Sequence, residues 1–584
     1  MRGALFFRFL MLSLAIASVG PAPAGDWPQW RGPDRTNVSK ETGLLKEWPK
    51  DGPPLLWKAE GMGDGVASVA VAGGRVFSLG YRGEGEFVTA LDVKDGKQAW
   101  SSQIGPKVNE NSVMRWLSQR TPTVDGDRLY AVTTGGELIC LESGTGKDLW
   151  RKSYSKDFNS RRPGFGYCDY PLVDGDQLIC SPGGPEAGLV ALNKKTGELI
   201  WQAALPGNDG ASFSCVVPAE IGGVRQYVNC MSRGLVGVSA KDGKFLWRYD
   251  KLANGTGNSG AAIVRGDLVF FANGYGAGCG VVKIVADGTG FKAEEVWSLR
   301  KSFPSWLGGS VLVGDHVYLC QVAGIPLGIE WETGKVVAEG DFRFSQSSLT
   351  YADGHLYLRN NAGKAGLIQA GPEGFKLKGS FDPPRPATTM TQPAGAFPVI
   401  ADGRLYLRDM DWLLCYDIQA PKQGRGPRPI FVPSPEDVVD KMLELAQVKQ
   451  DDVVVDLGCG DGRILVAAAR LSCCKAIGYD IDPDCVRQAR ENVRQGGVEG
   501  LVRIEQADIF DVDLSQASVV TLYLLPTINA KLVPQLEKLK PGSRIVSHAF
   551  NMPGYKPDKV IRMTSKEDDL ERPIYLWTIP LQKE

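Results

Sequence analysis

The chain has 584 residues, with 66 Lys and Arg against 67 Asp and Glu and a formal net charge of −1. This balance argues against the strongly basic class of nucleic-acid-binding proteins, and the length predicts several domains or one large repeat assembly. The sequence has only three histidines, none beside a pair of cysteines, and predicts no metal site.

The first 24 residues have the pattern of a secretory signal peptide. Arg2 precedes an apolar run from Leu5 to Val19, which Arg8 interrupts, and Ala22-Pro23-Ala24 supplies small residues for cleavage. The run is short for a membrane-spanning helix, and no later segment is long and apolar enough to form one. The sequence therefore predicts export to the periplasm or cell envelope, and a cytoplasmic location if the signal is not used.

Residues 25–420 contain an internal repeat. In four copies a turn glycine precedes a tryptophan by four positions, and these copies are Ala90–Trp100, Cys140–Trp150, Ala191–Trp201 and Gly237–Trp247. A degenerate copy follows from Gly328. A second repeated element is a tight hairpin built around glycine, usually beside aspartate, and its copies begin at residues 73, 125, 174, 265, 313, 353 and 402, with a diverged copy at 221.

A period of about 40 to 50 residues made of short strands predicts an all-β propeller with eight blades. The isolated segment Pro54–Glu60 is expected to form the outer strand of the last blade and to close the ring. The repeat resembles the PQQ-like (quinoprotein-type) propeller repeat, named for pyrroloquinoline quinone enzymes, and Asp26–Pro33 resembles the lead-in of such proteins. The repeat tryptophans are expected to pack between blades.

A linker and a second domain follow the propeller. Residues 421–430 are rich in Pro and Gly and predict an interdomain linker, after which residues 431–584 form the second domain. Ser434-Pro435-Glu436-Asp437 is close to a capping box with proline in the first turn. Apolar residues at helical spacing follow from Val438, so a helix is expected before the first strand.

The most informative motif of the second domain begins at a buried strand, Val453–Asp456, and continues into glycines at 458, 460 and 462 before a helix. A dinucleotide fingerprint needs its third glycine at position 463, which is arginine. Asp-x-Gly-x-Gly-x-Gly instead resembles motif I of the class I S-adenosylmethionine (SAM) methyltransferases. A glycine turn that serves only tight packing is the alternative.

The remaining strands follow in the order of that family and predict an α/β Rossmann-like sheet of seven strands. The six further segments are Lys475–Asp480, Val502–Phe510, Ser518–Leu524, Ser543–Phe550, Lys559–Met563 and Arg572–Ile579. The resemblance implies that SAM is the cofactor and assigns its contacts. Asp456, Gly458, Gly460 and Gly462 would hold the amino-acid end, Asp480 the ribose, and Asp508 with Ile509 the adenine.

Two segments, Phe431–Glu436 and Thr521–Pro526, resemble the small protein-lysine methyltransferases that include the enzyme acting on the ATP synthase c subunit. The Asn/Asp-Pro-Pro-Tyr motif of adenine and glutamine methyltransferases is absent, and Tyr523-Leu-Leu-Pro526 stands in its place. The resemblance implies a protein N-(lysine) methyltransferase that does not act on nucleic acid. Tyr523 is a candidate to line the acceptor channel and His548 to assist proton removal, with a structural role as the alternative for each.

The propeller is predicted to bind or recruit the protein substrate. One alternative is an exported propeller that binds a partner and carries a catalytically inert methyltransferase-like module. Another is a quinone-dependent dehydrogenase, but the propeller lacks the adjacent cysteines of those enzymes, because the only such pair is Cys473-Cys474 in the second domain. The eight propeller cysteines fit either buried apolar positions or disulfides, and they are residues 140, 168, 180, 215, 230, 279, 320 and 415.

Overall fold

The computed structural model describes residues 25–108, 120–288, 290–300, 309–371, 373–386, 394–420 and 433–584. The chain divides into two compact units between residues 421 and 422. The predicted signal peptide at 1–24 and the predicted linker at 421–430 lie outside the described residues, and both stay predictions. Among the described helices, none combines the length and apolar character that crossing a bilayer requires.

Within its described part, the first unit contains eight sheets that each provide one blade of four antiparallel strands. Seven blades are continuous in sequence. The first three blades consist of Ala70–Ala72, Arg75–Arg82, Gly85–Asp92 and Gln98–Pro106; of Thr123–Asp125, Arg128–Val132, Glu137–Glu142 and Asp148–Ser153; and of Leu172–Asp174, Gln177–Cys180, Leu189–Asn193 and Leu199–Ala203. The fourth and fifth consist of Val217–Ile221, Val224–Met231, Gly234–Ser239 and Phe245–Tyr249, and of Ile263–Arg265, Leu268–Asn273, Gly278–Asp287 and Gly290–Leu299. The sixth and seventh consist of Ser310–Val313, His316–Cys320, Pro326–Glu330 and Val336–Glu339, and of Ser347–Ala352, His355–Asn360, Ala365–Gly371 and Gly374–Phe381.

The eighth blade joins the two ends of the propeller sequence. Val399–Ala401, Arg404–Asp409 and Trp412–Asp417 pair in order, and Leu55–Ala59 adds the outermost antiparallel strand. The predictions of eight blades and of a ring closed by the segment after Pro54 are therefore confirmed. The added strand covers the outer edge of Trp412–Asp417, which would otherwise be unpaired. In its described part the unit also contains four short elements outside the blade pattern, which are the strands Val38–Ser39, Phe213–Ser214 and Ser259–Gly260 and the helix Tyr154–Asp157.

The repeated glycine and tryptophan pack against each other across blade boundaries. Trp57 Nε1 donates to the Val93 carbonyl at 3.0 Å, and Trp100 Nε1 donates to the Ser143 carbonyl at 3.0 Å, each in the next blade. A Cβ on Gly96 would lie 2.6 Å from the Trp57 ring. In most blades the register shifts by one residue just before the tryptophan, and such a bulge redirects the next side chain. The predicted packing role of the tryptophans is confirmed.

The second unit contains one seven-stranded sheet in its described residues. Its strands are β1 (Val453–Leu457), β2 (Lys475–Asp480), β3 (Val502–Gln506), β4 (Val519–Leu522), β5 (Arg544–His548), β6 (Lys559–Thr564) and β7 (Glu571–Thr578). The order across the sheet is β3-β2-β1-β4-β5-β7-β6, parallel except for β7. Its helices are α1 (Glu436–Leu445), α2 (Arg463–Ser472), α3 (Pro483–Gln495) and α4 (Pro526–Leu536). A short pair, Tyr555–Lys556 with Gln582–Lys583, lies beside it.

This strand order determines where a ligand can bind. The chain runs outward from β1 to β3 on one side and returns to β4 on the other side of β1. Helices on opposite faces of the sheet separate at such a reversal, and a crevice opens outside the carboxyl ends of the two central strands. The residues that follow β1, β2, β4 and β5 therefore converge on one edge.

Two local expectations are corrected. Strand β3 ends at Gln506, so Asp508 and Ile509 lie in the turn beyond it and not at the end of a longer strand. No capping box forms either, because Pro435 occupies the position before α1 and the Glu436 amide donates instead to the carboxylate of Glu567, far along the chain. The Ser434 hydroxyl bonds instead to His548, and Asp437 accepts hydrogen bonds from the loop between β6 and β7. Tertiary partners outcompete the local cap for both side chains.

Candidate functional site

The glycine turn after β1 has a backbone that only small residues accept easily. Gly458, Gly460 and Gly462 have φ angles of 79°, 51° and 77°. A Cβ on Gly458 would lie 3.0 Å from the Leu524 side chain, and one on Gly462 would lie 3.0 Å from Ala489 in α3. The first glycine therefore keeps the mouth of the crevice open, and the third allows α2 and α3 to approach closely.

Asp480, at the end of β2, is held in place by the backbone. Its two carboxylate oxygens accept hydrogen bonds from Gly460 N at 2.8 Å and Asp482 N at 2.9 Å. The amides of Gly458 and Cys459 both donate to the Tyr479 carbonyl, at 2.9 and 3.0 Å, which fixes the turn against β2. The carboxylate is thus oriented before any ligand arrives, and each oxygen keeps a further lone pair for a hydroxyl donor.

Asp456, at the end of β1, is an acid in an unfavourable environment. It is buried and accepts a hydrogen bond from Thr521 Oγ1 in β4 at 2.6 Å. Burial raises the pKa of its carboxyl to about 7, with smaller contributions from the nearby Asp480 and Asp461 and opposition from the Thr521 bond. A bound cation would therefore favour ionisation of this carboxyl.

The turn after β3 places Asp508 and Ile509 at the same edge of the sheet. Asp508 accepts a hydrogen bond from Phe510 N at 3.0 Å, and Ala507 N donates to the Asp480 carbonyl at 3.0 Å. Ile509 is half-buried against the core between the sheet and α4. The structure therefore brings all seven predicted cofactor residues to the carboxyl ends of β1, β2 and β3.

Tyr523 and His548 form an aromatic stack at the ends of β4 and β5. Their ring centroids are 3.9 Å apart with an interplanar angle of 27°, and Phe550 lies 6.0 Å from Tyr523 on a nearly parallel plane. Tyr523 is half-buried, whereas His548 is fully buried. Burial lowers the pKa of His548 to about 4, so the imidazole is neutral near pH 7.

Three residues of this site were missed from the sequence. Thr521 binds Asp456, Ser434 binds His548, and Arg463 joins Ser434 to the glycine turn. The signal for Arg463 was present, because it stands where a dinucleotide fingerprint would have its third glycine. Its guanidinium binds the Asp461 carboxylate at 2.7 Å and donates to the Ser434 carbonyl at 2.9 Å.

The thiols of the chain show no arrangement for redox or metal chemistry. All twelve cysteines are free, and ten are buried. Burial raises the pKa of the Cys140, Cys279, Cys320 and Cys415 thiols to about 12, which suppresses the reactive thiolate. Of the residues that the structure describes, no three histidines, cysteines or acids come together as a metal site. The ten buried cysteines act as small core side chains.

The residues at the carboxyl edge fit an adenosyl amino-acid cofactor. The glycine turn forms a cradle that a side chain at Gly458 would narrow, and the N-terminus of α2 favours a carboxylate. Asp480 offers oriented acceptors for a diol, and Asp456 offers a carboxyl that a cation would ionise. Ile481, more than a third exposed, follows Asp480 and provides an apolar surface for a heterocycle.

Family models match both units. Residues 456–559 match the ANTKMT methyltransferase domain, and residues 32–115 and 86–340 match the model described as outer membrane protein assembly factor BamB. A protein-lysine N-methyltransferase of Saccharolobus islandicus is 46% identical over 151 residues, covering 26% of this chain and 92% of the relative. The ATP synthase c-subunit lysine N-methyltransferase of Rattus norvegicus is 32% identical over 133 residues, covering 22% of this chain and 59% of the relative.

Among solved structures, an RNA methyltransferase from Salinibacter ruber in complex with S-adenosyl-L-homocysteine is 49% identical. The match covers 26% of this chain and 94% of that chain, with a TM-score of 0.24.

Proposed function

The chain belongs to the protein-lysine N-methyltransferases through its C-terminal domain and to the family of outer membrane protein assembly factor BamB through its propeller, and from this premise we propose that it methylates a lysine side chain of a protein substrate. The observation that supports the proposal most directly is the convergence of Asp456, Asp480 and the glycine turn with the Tyr523 stack at one edge of the sheet.

The cofactor side of the site lies at the ends of β1, β2 and β3. When bound, SAM supplies an electron-poor methyl group for in-line transfer to an amine. Asp480 would hold the two ribose hydroxyls, because both its oxygens are already oriented by backbone amides. Asp456 and the turn Gly458–Gly462 would hold the amino-acid end, and Asp508 with Ile509 would hold the adenine. These assignments are part of the proposal.

The acceptor side lies at the ends of β4 and β5. A lysine amine must lose its proton before it can attack, and a desolvated apolar channel lowers the amine pKa. Tyr523 and Phe550 supply aromatic surface for such a channel. His548 has a pKa of about 4 and is fully buried, so it is a poor proton acceptor in this position. We therefore assign the chemistry to positioning and desolvation, without a dedicated base.

The propeller would recruit the protein that carries the acceptor lysine and so raise its local concentration at the second domain. The name of its family refers to outer membrane assembly, and the first 24 residues have the pattern of a signal peptide, so we propose an exported protein.

The experiment is a transfer assay with the full-length protein, radiolabelled SAM, and separated protein and nucleic-acid fractions of a bacterial lysate. We expect acid-stable methyl-lysine in the protein fraction and no label with Asp480→Ala at the same cofactor concentration. Gly500→Ala, in the open loop before β3, is the matched control, because a Cβ there meets no atom within 4 Å. Label in nucleic acid, with none in protein, would show that the acceptor assignment is wrong.

A further inference from the structure

The end of β5 combines two locally unfavourable features beside Tyr523. His548 is fully buried, and within the described part of the chain its Nε2 atom has no hydrogen-bond partner. The next residue, Ala549, has a φ of 62°, a left-handed conformation that alanine rarely adopts. Buried unpaired polar atoms and strained backbone both lower stability, and they persist where the surrounding structure holds them for a purpose.

The strained turn determines where Phe550 lies. Ala549 N donates to the Pro573 carbonyl at 2.8 Å, and Phe550 N donates back to the His548 carbonyl at 2.7 Å. The Ser547 hydroxyl then bonds to the Phe550 carbonyl at 2.7 Å. These three bonds fix the backbone so that the Phe550 ring lies nearly parallel to the Tyr523 ring.

A chain of contacts connects the imidazole to the glycine turn. Ser434 Oγ lies 2.8 Å from His548 Nδ1 and is itself buried. Arg463 donates to the Ser434 carbonyl at 2.9 Å and binds the Asp461 carboxylate at 2.7 Å. Asn492 in α3 donates to the Asp461 carbonyl at 2.9 Å, which holds the far end of the chain. Ser434 is therefore the only partner of the imidazole nitrogens among the described residues, and its own backbone is fixed by the turn.

We propose that Ser434 and His548 are positioning residues that fix the Tyr523 ring for the acceptor amine. The inference rests on the proposed function, because it places the acceptor beside Tyr523. Without the serine hydroxyl, both imidazole nitrogens would be buried and unpaired, so the ring would turn or admit water and the stack on Tyr523 would loosen. The low pKa of His548 fits this role, since a neutral imidazole stacks without carrying a charge into the core. The charges that act on the pKa of His548 belong to Arg572, which lowers it, and Asp568, which raises it, and these two residues bind each other at 2.6 Å.

The test compares Ser434→Ala with Ser434→Thr in the full-length protein. Poly-L-lysine and a bacterial membrane-protein fraction serve as acceptors, and both kcat and KM for SAM are measured. We expect Ser434→Ala to lower kcat about tenfold with KM for SAM nearly unchanged, because a small misplacement of a reacting pair slows transfer. Threonine keeps the hydroxyl and should restore kcat to within about threefold of the native value.

Ser515→Ala, which removes an exposed hydroxyl bonded to Asp513 in the same domain, is the control. Thermal unfolding and calorimetric binding of S-adenosylhomocysteine show whether each variant is folded. Equal kcat for native protein and folded Ser434→Ala would overturn the proposal. So would a shift of a titrating limb of the pH–rate profile in Ser434→Ala, since that result would indicate that His548 acts as a base.

A readout without an acceptor separates this proposal from the proposed function. The protein is labelled with ¹³C-tyrosine, and the Tyr523 ring signal is identified by its loss in Tyr523→Phe. We expect the signal to shift or broaden in Ser434→Ala and to stay in place in Ser434→Thr and Ser515→Ala. An unchanged signal in Ser434→Ala refutes the positioning role, whereas a shifted signal with no lysine methylation by the native protein refutes only the proposed acceptor.

Discussion

Replacing Asp456 by asparagine should stabilise the C-terminal domain at alkaline pH and weaken its cofactor binding. Burial raises the pKa of this carboxyl from 3.8 to about 7. Between these values the unfolded chain is ionised and the folded chain keeps its proton, so stability is full below pH 4 and falls as the pH rises to about 7. At about 1.4 kcal/mol per pH unit, the penalty of the buried carboxylate saturates near 4 kcal/mol. Asparagine cannot ionise, and its carbonyl can still accept the Thr521 hydrogen bond.

The same substitution removes the charge that would pair with the cofactor ammonium. A charge-assisted hydrogen bond contributes about 1.5–3 kcal/mol, so binding at pH 8 should weaken roughly tenfold or more. In the native domain, a pKa of about 7 leaves only about a tenth of the Asp456 carboxyl groups ionised at pH 6. The domain should therefore bind SAM about tenfold more weakly at pH 6 than at pH 8. Asp456→Asn should lose this dependence.

The assay is chemical denaturation and calorimetry on residues 422–584 between pH 5 and pH 8.5. These residues form one compact unit, and a match of 151 residues covers 92% of the Saccharolobus islandicus relative, which supports folding of the unit alone. Asp484→Asn, an exposed acid of α3, is the matched control and should change neither pH dependence. An Asp456→Asn domain that is less stable than native at pH 8, or that keeps the native pH dependence of SAM binding, would refute the reasoning.

Three further predictions concern the cofactor site, the propeller and the export of the protein. Asp480→Ala should weaken SAM binding by about 2–4 kcal/mol in calorimetry, because two charge-assisted ribose bonds are lost, and unchanged affinity would contradict the assignment. Gly96→Ala should destabilise the propeller by about 2–4 kcal/mol in urea unfolding, for two reasons. The φ of 71° at this position is unfavourable for alanine, and the added Cβ would lie 2.6 Å from the Trp57 ring. Gly74→Ala is the control, because Gly74 has a φ of 75° but a Cβ there meets no atom within 4 Å, so only the backbone cost should reduce stability. If both variants lost the same stability, the Trp57 contact would be excluded as a cause. An alkaline phosphatase fused after Glu584 should be active, and a fluorescent protein that fails to mature outside the cytosol should stay dark there; the reverse pattern would show a cytosolic protein.

The propeller could be predicted closely because its tight hairpin recurs eight times, once in diverged form, and its glycine–tryptophan spacing recurs four times. Glycine turns, usually with a neighbouring aspartate, indicate the inner hairpins, and the glycine four positions before a tryptophan indicates the outer turn. The closing strand was recognisable because Trp57 has the repeat's tryptophan but no hairpin of its own before it. What the repeat could not indicate was the partner of each tryptophan, since the glycine beneath Trp57 is Gly96 of the first blade, 39 positions later.

The methyltransferase sheet was predictable strand by strand, because parallel buried strands are short apolar runs that each end at a turn or an acid. The errors lie at the ends of elements. The apolar residues Ile509 and Phe510 continue the pattern of β3 and so predict a strand that reaches Phe510. In the structure β3 ends at Gln506, and both residues lie in the following turn and pack against the core beside α4. The sequence around Ser434 predicts a local helix cap, but its hydroxyl bonds to a histidine 114 residues away, and no local rule identifies such a partner.

The distribution of unfavourable features also bears on whether the methyltransferase domain is active. Asp456 is buried with a pKa of about 7, His548 has an unpaired nitrogen in the core, and Ala549 is left-handed, all at the carboxyl edge of one sheet. A domain kept only to bind a partner would be more stable with asparagine, an apolar ring and glycine at these positions. Each of these features instead surrounds the predicted cofactor or the Tyr523 stack. Features that lower stability persist at functional sites, and here they are concentrated at one site of a domain that is otherwise well packed. Their distribution therefore favours an active enzyme over an inert module.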